Sequence, residues 1–213
     1  MLTRTITCFL LLFTMRPLSA QLSVGIQGGF HASTIHFSGL PSGVSHHPQA
    51  KNHYFVGITS SYPLNAKWSV GLDAQYAVRG VGFEQQENAN TTTNSRRKNI
   101  DLIPKISYQL LKNVGLHLGV YHSFFLRHDV QLGNTDTWVE PFANYYSKTD
   151  IGLSPGLRFH IGRFSLLASG QIGLKSISKI EYTNEIGEII ENVHEKNRAI
   201  QLGLGYRICG NEE

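Results

Sequence analysis

Cysteine is almost missing from this 213-residue chain: Cys8 and Cys209 are the two that occur. Cys8 sits in an N-terminal stretch that reads as a leader, so the mature chain keeps Cys209 alone and the disulfide-stapled class is excluded. Cys8 also lies inside its apolar run rather than at the end of it, which does not suit a lipoprotein attachment site. No run of 18 apolar residues follows the leader, so no helical bilayer span is expected. No stripe of period 3.6 reaches helical length either, which argues against a helical bundle. Charge of one sign is not in excess. The 19 Lys and Arg face 15 Asp and Glu, and loss of Arg4 and Arg16 with the leader lowers the net charge from +4 to about +2, giving no reason to expect nucleic acid.

What is present begins with that leader. Arg4 precedes the apolar run ITCFLLLFTM (6–15), too short for a transmembrane helix, and Ala20 stands before Gln21 as a small residue at a cleavage point. Residues 1–20 are therefore expected to be a secretory signal peptide, and 21–213 one exported domain.

With a period of two, the mature chain resolves into eight alternating segments, near 22–33, 53–62, 67–83, 97–111, 114–128, 149–161, 163–179 and 197–208. Their connections alternate strictly between short and long. PLNA (63–66), KN (112–113) and GR (162–163) have hairpin length, whereas 34–52, 84–96, 129–148 and 180–196 are long and polar. An even number of antiparallel strands then puts all short turns at one end with both termini and all long loops at the other. The expected fold is all-β: an eight-stranded, antiparallel, up-and-down transmembrane β-barrel with short periplasmic turns and four long external loops.

Each segment is two-faced, as NRAIQLGLGYRI (197–208) illustrates: Ile200, Leu202, Leu204, Tyr206 and Ile208 share one parity, and Gln201, Gly203, Gly205 and Arg207 the other. A soluble lipocalin-like carrier would turn the oily parity inward, and a membrane barrel would turn it outward. The glycines decide between them. Gly25, Gly29, Gly57, Gly71, Gly119, Gly152, Gly156 and Gly203 all fall on the polar parity, where small residues fit a crowded lumen and would only weaken a solvated exterior. The oily parity is expected to face lipid. On that parity Tyr62, Trp68, Tyr108, Phe159, Phe164 and Tyr206 all lie beside short turns or the C-terminus, as one aromatic ring at a membrane interface would. Pro104 and Pro155 fall mid-strand and are expected to produce bulges or missing ladder bonds.

The stretches QLSVGIQGGFHAST, NIDLIPKISYQL with VGLHLGVYHSFFL after a short turn, DIGLSPGLRFHIGRFSLLASGQIGLKSI and the closing NRAIQLGLGYRI together resemble the PorT-like outer-membrane β-barrel proteins of Bacteroidetes, similar in architecture to small OmpA- and OmpX-type barrels. The resemblance covers the whole mature chain and implies residence in a Gram-negative outer membrane, with a role in envelope assembly or protein secretion.

Eight strands enclose a lumen that side chains fill, so a diffusion porin is not expected. The inward parity carries Asp73, Arg79, Asp101, Lys105, Arg127, Arg158, Lys175 and Arg207, the expected members of a buried polar network. Three groups of residues have the composition of a catalytic or metal pattern. His31 and Ser33 have the His-x-Ser spacing of lipid A deacylase-type barrels, but alternation turns both away from lipid. His128 and Asp129, with Asp136 nearby, are adjacent on a strand and so point to opposite faces. His36, His46, His47 and His53 crowd the first long loop with irregular spacing and no cysteine beside them. No catalytic residue, cofactor or metal is assigned; the expected partners are outer-membrane lipid and proteins met through the long loops. A lipid- or peptide-modifying barrel enzyme and a secreted lipocalin-like binder are the rival readings.

Overall fold

The computed structural model describes residues 22–40, 48–84, 92–131, 137–140, 147–183 and 189–210. A strand that is oily on one face and polar on the other must hide one face from whatever surrounds it. In hydrocarbon the sheet must also have no edge, because each unpaired backbone group would cost several kcal/mol. The chain meets both demands by closing on itself.

Ten strands form among the described residues: β1 (Ser23–Ser38), β2 (Pro48–Pro63), β3 (Trp68–Glu84), β4 (Thr92–Leu111), β5 (Val114–Gln131), β6 (Trp138–Val139), β7 (Thr149–Ile161), β8 (Phe164–Gly173), β9 (Ser178–Thr183) and β10 (Ile189–Cys209). Eight are staves, in the order β1-β2-β3-β4-β5-β7-β8-β10, and the β1–β10 pairing closes the wall. All these pairings are antiparallel, with Gly29 opposite Gly203 across the seam. The short β6 and β9 add to β5 and β10 at the end away from the tight turns.

The tight turns form for local reasons. Gly162 takes a positive φ of 58° in the two-residue β7–β8 link, a conformation that side chains resist. In the β2–β3 link the Asn65 Oδ1 accepts from the backbone N–H groups of Lys67 and Trp68, both at 2.9 Å.

The oily parity faces out. Leu202 is 61% exposed, Leu118 51% and Val70 38%, values that rule out a common apolar centre and with it the lipocalin-like reading. Near the tight turns, Trp68 stacks obliquely on Tyr108 with centroids 4.8 Å apart, and Phe164 on Tyr206 at 5.1 Å. Tyr62 and Phe159 share that end and that face. Toward the opposite end, Phe30, Tyr54, Tyr76 and Phe124 lie on the same oily face, with Phe30 opposite Tyr54 and Tyr54 and Tyr76 6.2 Å apart.

The strand bounds are corrected, whereas at Pro104 and Pro155 the missing ladder bonds, one of the two outcomes expected there, are found. The staves run well past the alternating segments: β4 begins at Thr92 rather than near 97, and β10 at Ile189 rather than near 197. In these extensions both faces carry mainly polar side chains, the inward Ser95, Arg97, Glu195 and Asn197 being buried and the outward Arg96, Lys98, Lys196 and Arg198 more open, so the ladder continues without an oily and polar alternation. The seventh segment is instead shorter than its pattern, since β8 stops at Gly173 and β9 begins a new ribbon at Ser178. The prolines make no bulge. On either side of Pro104 the β4–β5 register is the same, Leu102 to His122 and Lys105 to Gly119, with the ladder interrupted between them. Pro155 likewise interrupts the β7–β8 ladder between Leu153–Ile172 and Gly156–Ser169. Register shifts lie elsewhere, among them those at Lys98/Asn99 on β4 and Ala50/Phe55 on β2.

Candidate functional site: the filled lumen and its outer rim

Inward side chains from different staves meet in tiers. Nearest the tight turns, Asp73 on β3 accepts from Lys105 Nζ on β4 at 2.5 Å and from Thr59 Oγ1 on β2 at 2.5 Å, with Arg158 of β7 at 3.9 Å. Arg158 in turn donates to Gln27 Oε1 at 2.8 Å, tying β7 to β1 across the lumen. Below this tier a cavity of about 180 Å³ opens toward the tight-turn end, lined among others by Lys105, His117, Arg158, His160 and Arg207.

The middle tier centres on Arg79. Its guanidinium donates to Asp101 Oδ2 at 2.6 Å, Gln171 Oε1 at 2.7 Å and Ser123 Oγ at 2.9 Å, so a single side chain fastens β3 to β4, β5 and β8. Gln75 Nε2 adds a bond to Asp101 at 3.2 Å. The Arg79 charge also lies 5.4 Å from the centroid of the Tyr121 ring. Arg79 is 1% exposed, Asp101 0% and Tyr121 0%. Around them Phe55, Ala77 and Leu167 form a buried apolar cluster, and His31 stacks on Phe55.

Above it, Tyr121 donates to Asp150 at 2.9 Å, Asn197 Nδ2 to the same carboxylate at 2.7 Å, and Arg97 to Asn197 Oδ1 at 2.5 Å. Ile35, Val81 and Ile177 make a second apolar cluster at this level.

Wall glycines make room for these fillers. A Cβ on Gly152 would lie 2.5 Å from the Tyr121 ring, and one on Gly203 2.7 Å from Phe55. The glycine parity is therefore the negative imprint of the large lumen residues.

Asp73, Arg79, Asp101, Lys105 and Arg158 meet in the two lower tiers, and Arg207 lies at the mouth, donating to the Gly162 carbonyl at 3.2 Å. Two expected lumen residues are elsewhere. Arg127 is on the outer surface, bonded to Asp129 at 2.6 Å, because the β4–β5 bulge inserts Leu126 and reverses the parity beyond it. Lys175 lies past the end of β8, exposed, donating to Ser147 Oγ at 2.9 Å. Gln27 and Gln171, on the inward parity that the sequence indicates, join the network together with Tyr121, Asp150 and Asn197, which the sequence does not single out; only tertiary reach distinguishes them from other residues there.

A family model for the outer membrane protein β-barrel domain matches residues 16–179. The chain belongs to that family. Solved structures similar to this outer-membrane barrel include Ail, the attachment invasion locus protein of Yersinia pestis, at 18% identity over 88% of this chain and 99% of that one, TM-score 0.44. They also include OprG of Pseudomonas aeruginosa, at 16% identity over 89% and 97%, TM-score 0.49. The outer membrane protease OmpT of Escherichia coli is similar at 10% identity over 92% and 99%, TM-score 0.43. No curated protein sequence matches the barrel.

The His-x-Ser pair has a structural task in this barrel. Where β2 leaves β3 at its bulge, His31 Nε2 donates to the Val78 carbonyl, and Ser33 Oγ both donates to the Gly80 carbonyl at 2.9 Å and accepts from the Gly80 N–H at 2.8 Å. The two side chains replace ladder bonds that β2 no longer supplies. A second pair, Ser95 Oγ and His128 Nε2, is 2.8 Å apart inside the outer extension of the lumen. That spacing suits a nucleophile and base, yet both are buried. Burial, and then the charge of Arg97, pushes the His128 imidazole down to about 4, which makes it a poor base at neutral pH. His128 and Asp129 point to opposite faces of β5. Among the described residues no group of three His, Cys, Asp or Glu is placed to hold a metal ion; His46, His47 and Asp136 lie outside the described residues.

Proposed function

We propose that this barrel is a non-enzymatic outer-membrane post: a pore closed by its own side chains whose rigid wall presents long external loops for recognition of proteins of the envelope or beyond it. The observation that carries the reading is the Arg79 tier. A guanidinium fixed to β4, β5 and β8 at mid-depth, with Tyr121, Phe55 and Leu167 buried beside it, fills the lumen with side chains at that level and supports a closed pore. What differs between such barrels is then chiefly their loops. Resemblance to PorT-like proteins of Bacteroidetes favours partners in protein secretion or envelope assembly. Export by a signal peptide cut after Ala20 belongs to the same reading, and N-terminal sequencing of the mature protein should begin at Gln21.

Planar-bilayer recording of the purified protein is expected to give no stepwise conductance. Crosslinking in intact cells through residues near the loop bases, such as Gly39 or Val139, is expected to capture proteins, whereas crosslinkers at Lys67 or Lys112 beside the tight turns should not capture the same set. Steady ion-conducting steps from the native chain would sink the proposal.

A further inference from the structure

On β4 and β5 the outward face changes character abruptly. Ile100 and Leu102 of β4 and Phe124 and Leu126 of β5 belong to the lipid-facing band. One same-face step farther out, about 7 Å along a strand, stand Lys98 and, opposite it, Arg127; Arg96 follows. All three converge on one carboxylate: Asp129 lies 2.6 Å from Arg127 Nε, 3.0 Å from Arg96 Nε and 3.3 Å from Lys98 Nζ. Trp138 of β6 covers the Arg96 guanidinium at 4.1 Å. Asp129 is wholly covered, while the Arg127 side chain remains 53% exposed and those of Arg96 and Lys98 about 30%. Asp129 offsets one positive charge, and Glu140, near Arg127, a second. A cationic excess remains, held in place by the carboxylate and the indole. On the seam side two further cations, Arg198 and then Lys196, stand above the outward Ile200 on β10.

We propose that the Arg96–Lys98–Arg127 cluster is a docking site for the phosphate of a glycolipid in the outer leaflet, whose acyl chains lie along Ile100, Leu102, Phe124 and Leu126. Two features favour an anchored lipid over a soluble protein. The cations face outward at the edge of the hydrocarbon band, where surrounding lipid excludes a globular partner. The apolar surface and the charges are also continuous, matching a molecule with acyl chains below and phosphate above. The inference rests on the barrel's orientation and is independent of what the loops bind.

The test uses the full-length mature protein in detergent micelles carrying equal amounts of a bisphosphorylated lipid A and its dephosphorylated counterpart, with retained lipid read by native mass spectrometry. The native chain should retain the phosphorylated form at least about tenfold over the other. R127Q alone should lower that preference by about fivefold, and R96Q/K98Q/R127Q should bring it near parity. K67Q/K112Q, which removes two cations beside the tight turns, should leave it unchanged. Heat-modifiable gel mobility verifies folding of each variant, and R127Q, at the most exposed of the three positions, keeps the test decisive if the triple variant does not fold. No preference in the native chain, an unaltered preference in R127Q, or an equal loss in K67Q/K112Q would overturn the site. So would full displacement of the lipid by millimolar inorganic phosphate, which would make this a site for free anions.

Discussion

Single side chains in the lumen carry unequal weight, and Arg79 carries the most. It is buried, charged and bonded to three staves besides its own, so its partner carboxylate is needed to keep the charge tolerable. Asp101→Asn should therefore lower stability by about 3–5 kcal/mol, read from guanidinium unfolding in detergent. Replacing both partners, Arg79→Met with Asp101→Leu, should recover most of that loss, because no unpaired charge is then left inside. An Asp101→Asn variant as stable as the native chain would show that the pair does not matter. Gly152 matters by its lack of a side chain. In Gly152→Val the new methyls meet the Tyr121 ring and the Ile172 carbonyl, and overpacking should cost about 1–3 kcal/mol. The near-ultraviolet tyrosine signal should change with it as Tyr121 loses its bond to Asp150.

At the scale of strands, the weak place is the upper β2–β3 junction, where His31 and Ser33 stand in for a missing ladder. His31→Ala with Ser33→Ala would strand the Val78 and Gly80 backbone groups, each worth about 1–3 kcal/mol when buried and unpaired. Amide exchange at Gly80 should then accelerate while Gly71, whose β2 partner is intact, stays protected. The outer extension of β5 should respond to pH. The folded His128 value, about 4, lies below the ordinary 6.5, so the unfolded chain takes up its proton first as pH falls. The stability that neutral His128 contributes is complete above about pH 6.5 and lost progressively toward pH 4. His128→Gln should show a shallower loss across that window in a series of unfolding midpoints.

The same scale explains what the sequence made readable. Tight turns and membrane staves were legible because hydrocarbon outside and a crowded lumen inside force a period of two, and Gly203 or Leu202 obeys it without exception. The extensions of β4 and β10 were not, since polar side chains on both faces, buried inward at Ser95, Arg97, Glu195 and Asn197, remove the oily and polar pattern. Arg127 was misassigned for one physical reason: the extra residue Leu126 in a bulge reverses parity, and nothing in the local sequence marks the bulge. Asp73, Asp101 and Lys105 could be placed on the inward parity, but their bonding depends on register between staves, which no single strand encodes.

For the whole molecule, closure of the wall and filling of the lumen are separate properties, and they separate experimentally. The wall is held by backbone ladders around the full circle, including the β1–β10 seam, and lipid enforces those ladders. The filling at mid-depth is held by side chains, chiefly Arg79 with Asp101, Tyr121 and Phe55. Trimming the fillers together, as in Arg79→Ala, Asp101→Ala, Tyr121→Ala and Phe55→Ala, should leave a barrel with the same strand signal in circular dichroism but a lower unfolding midpoint. It should also let small ions through, as conductance steps absent from the native chain. If the trimmed barrel folds and still blocks ions, the obstruction lies in the upper cluster of Ile35, Val81 and Ile177, and the Arg79 tier serves to brace the staves rather than to seal them.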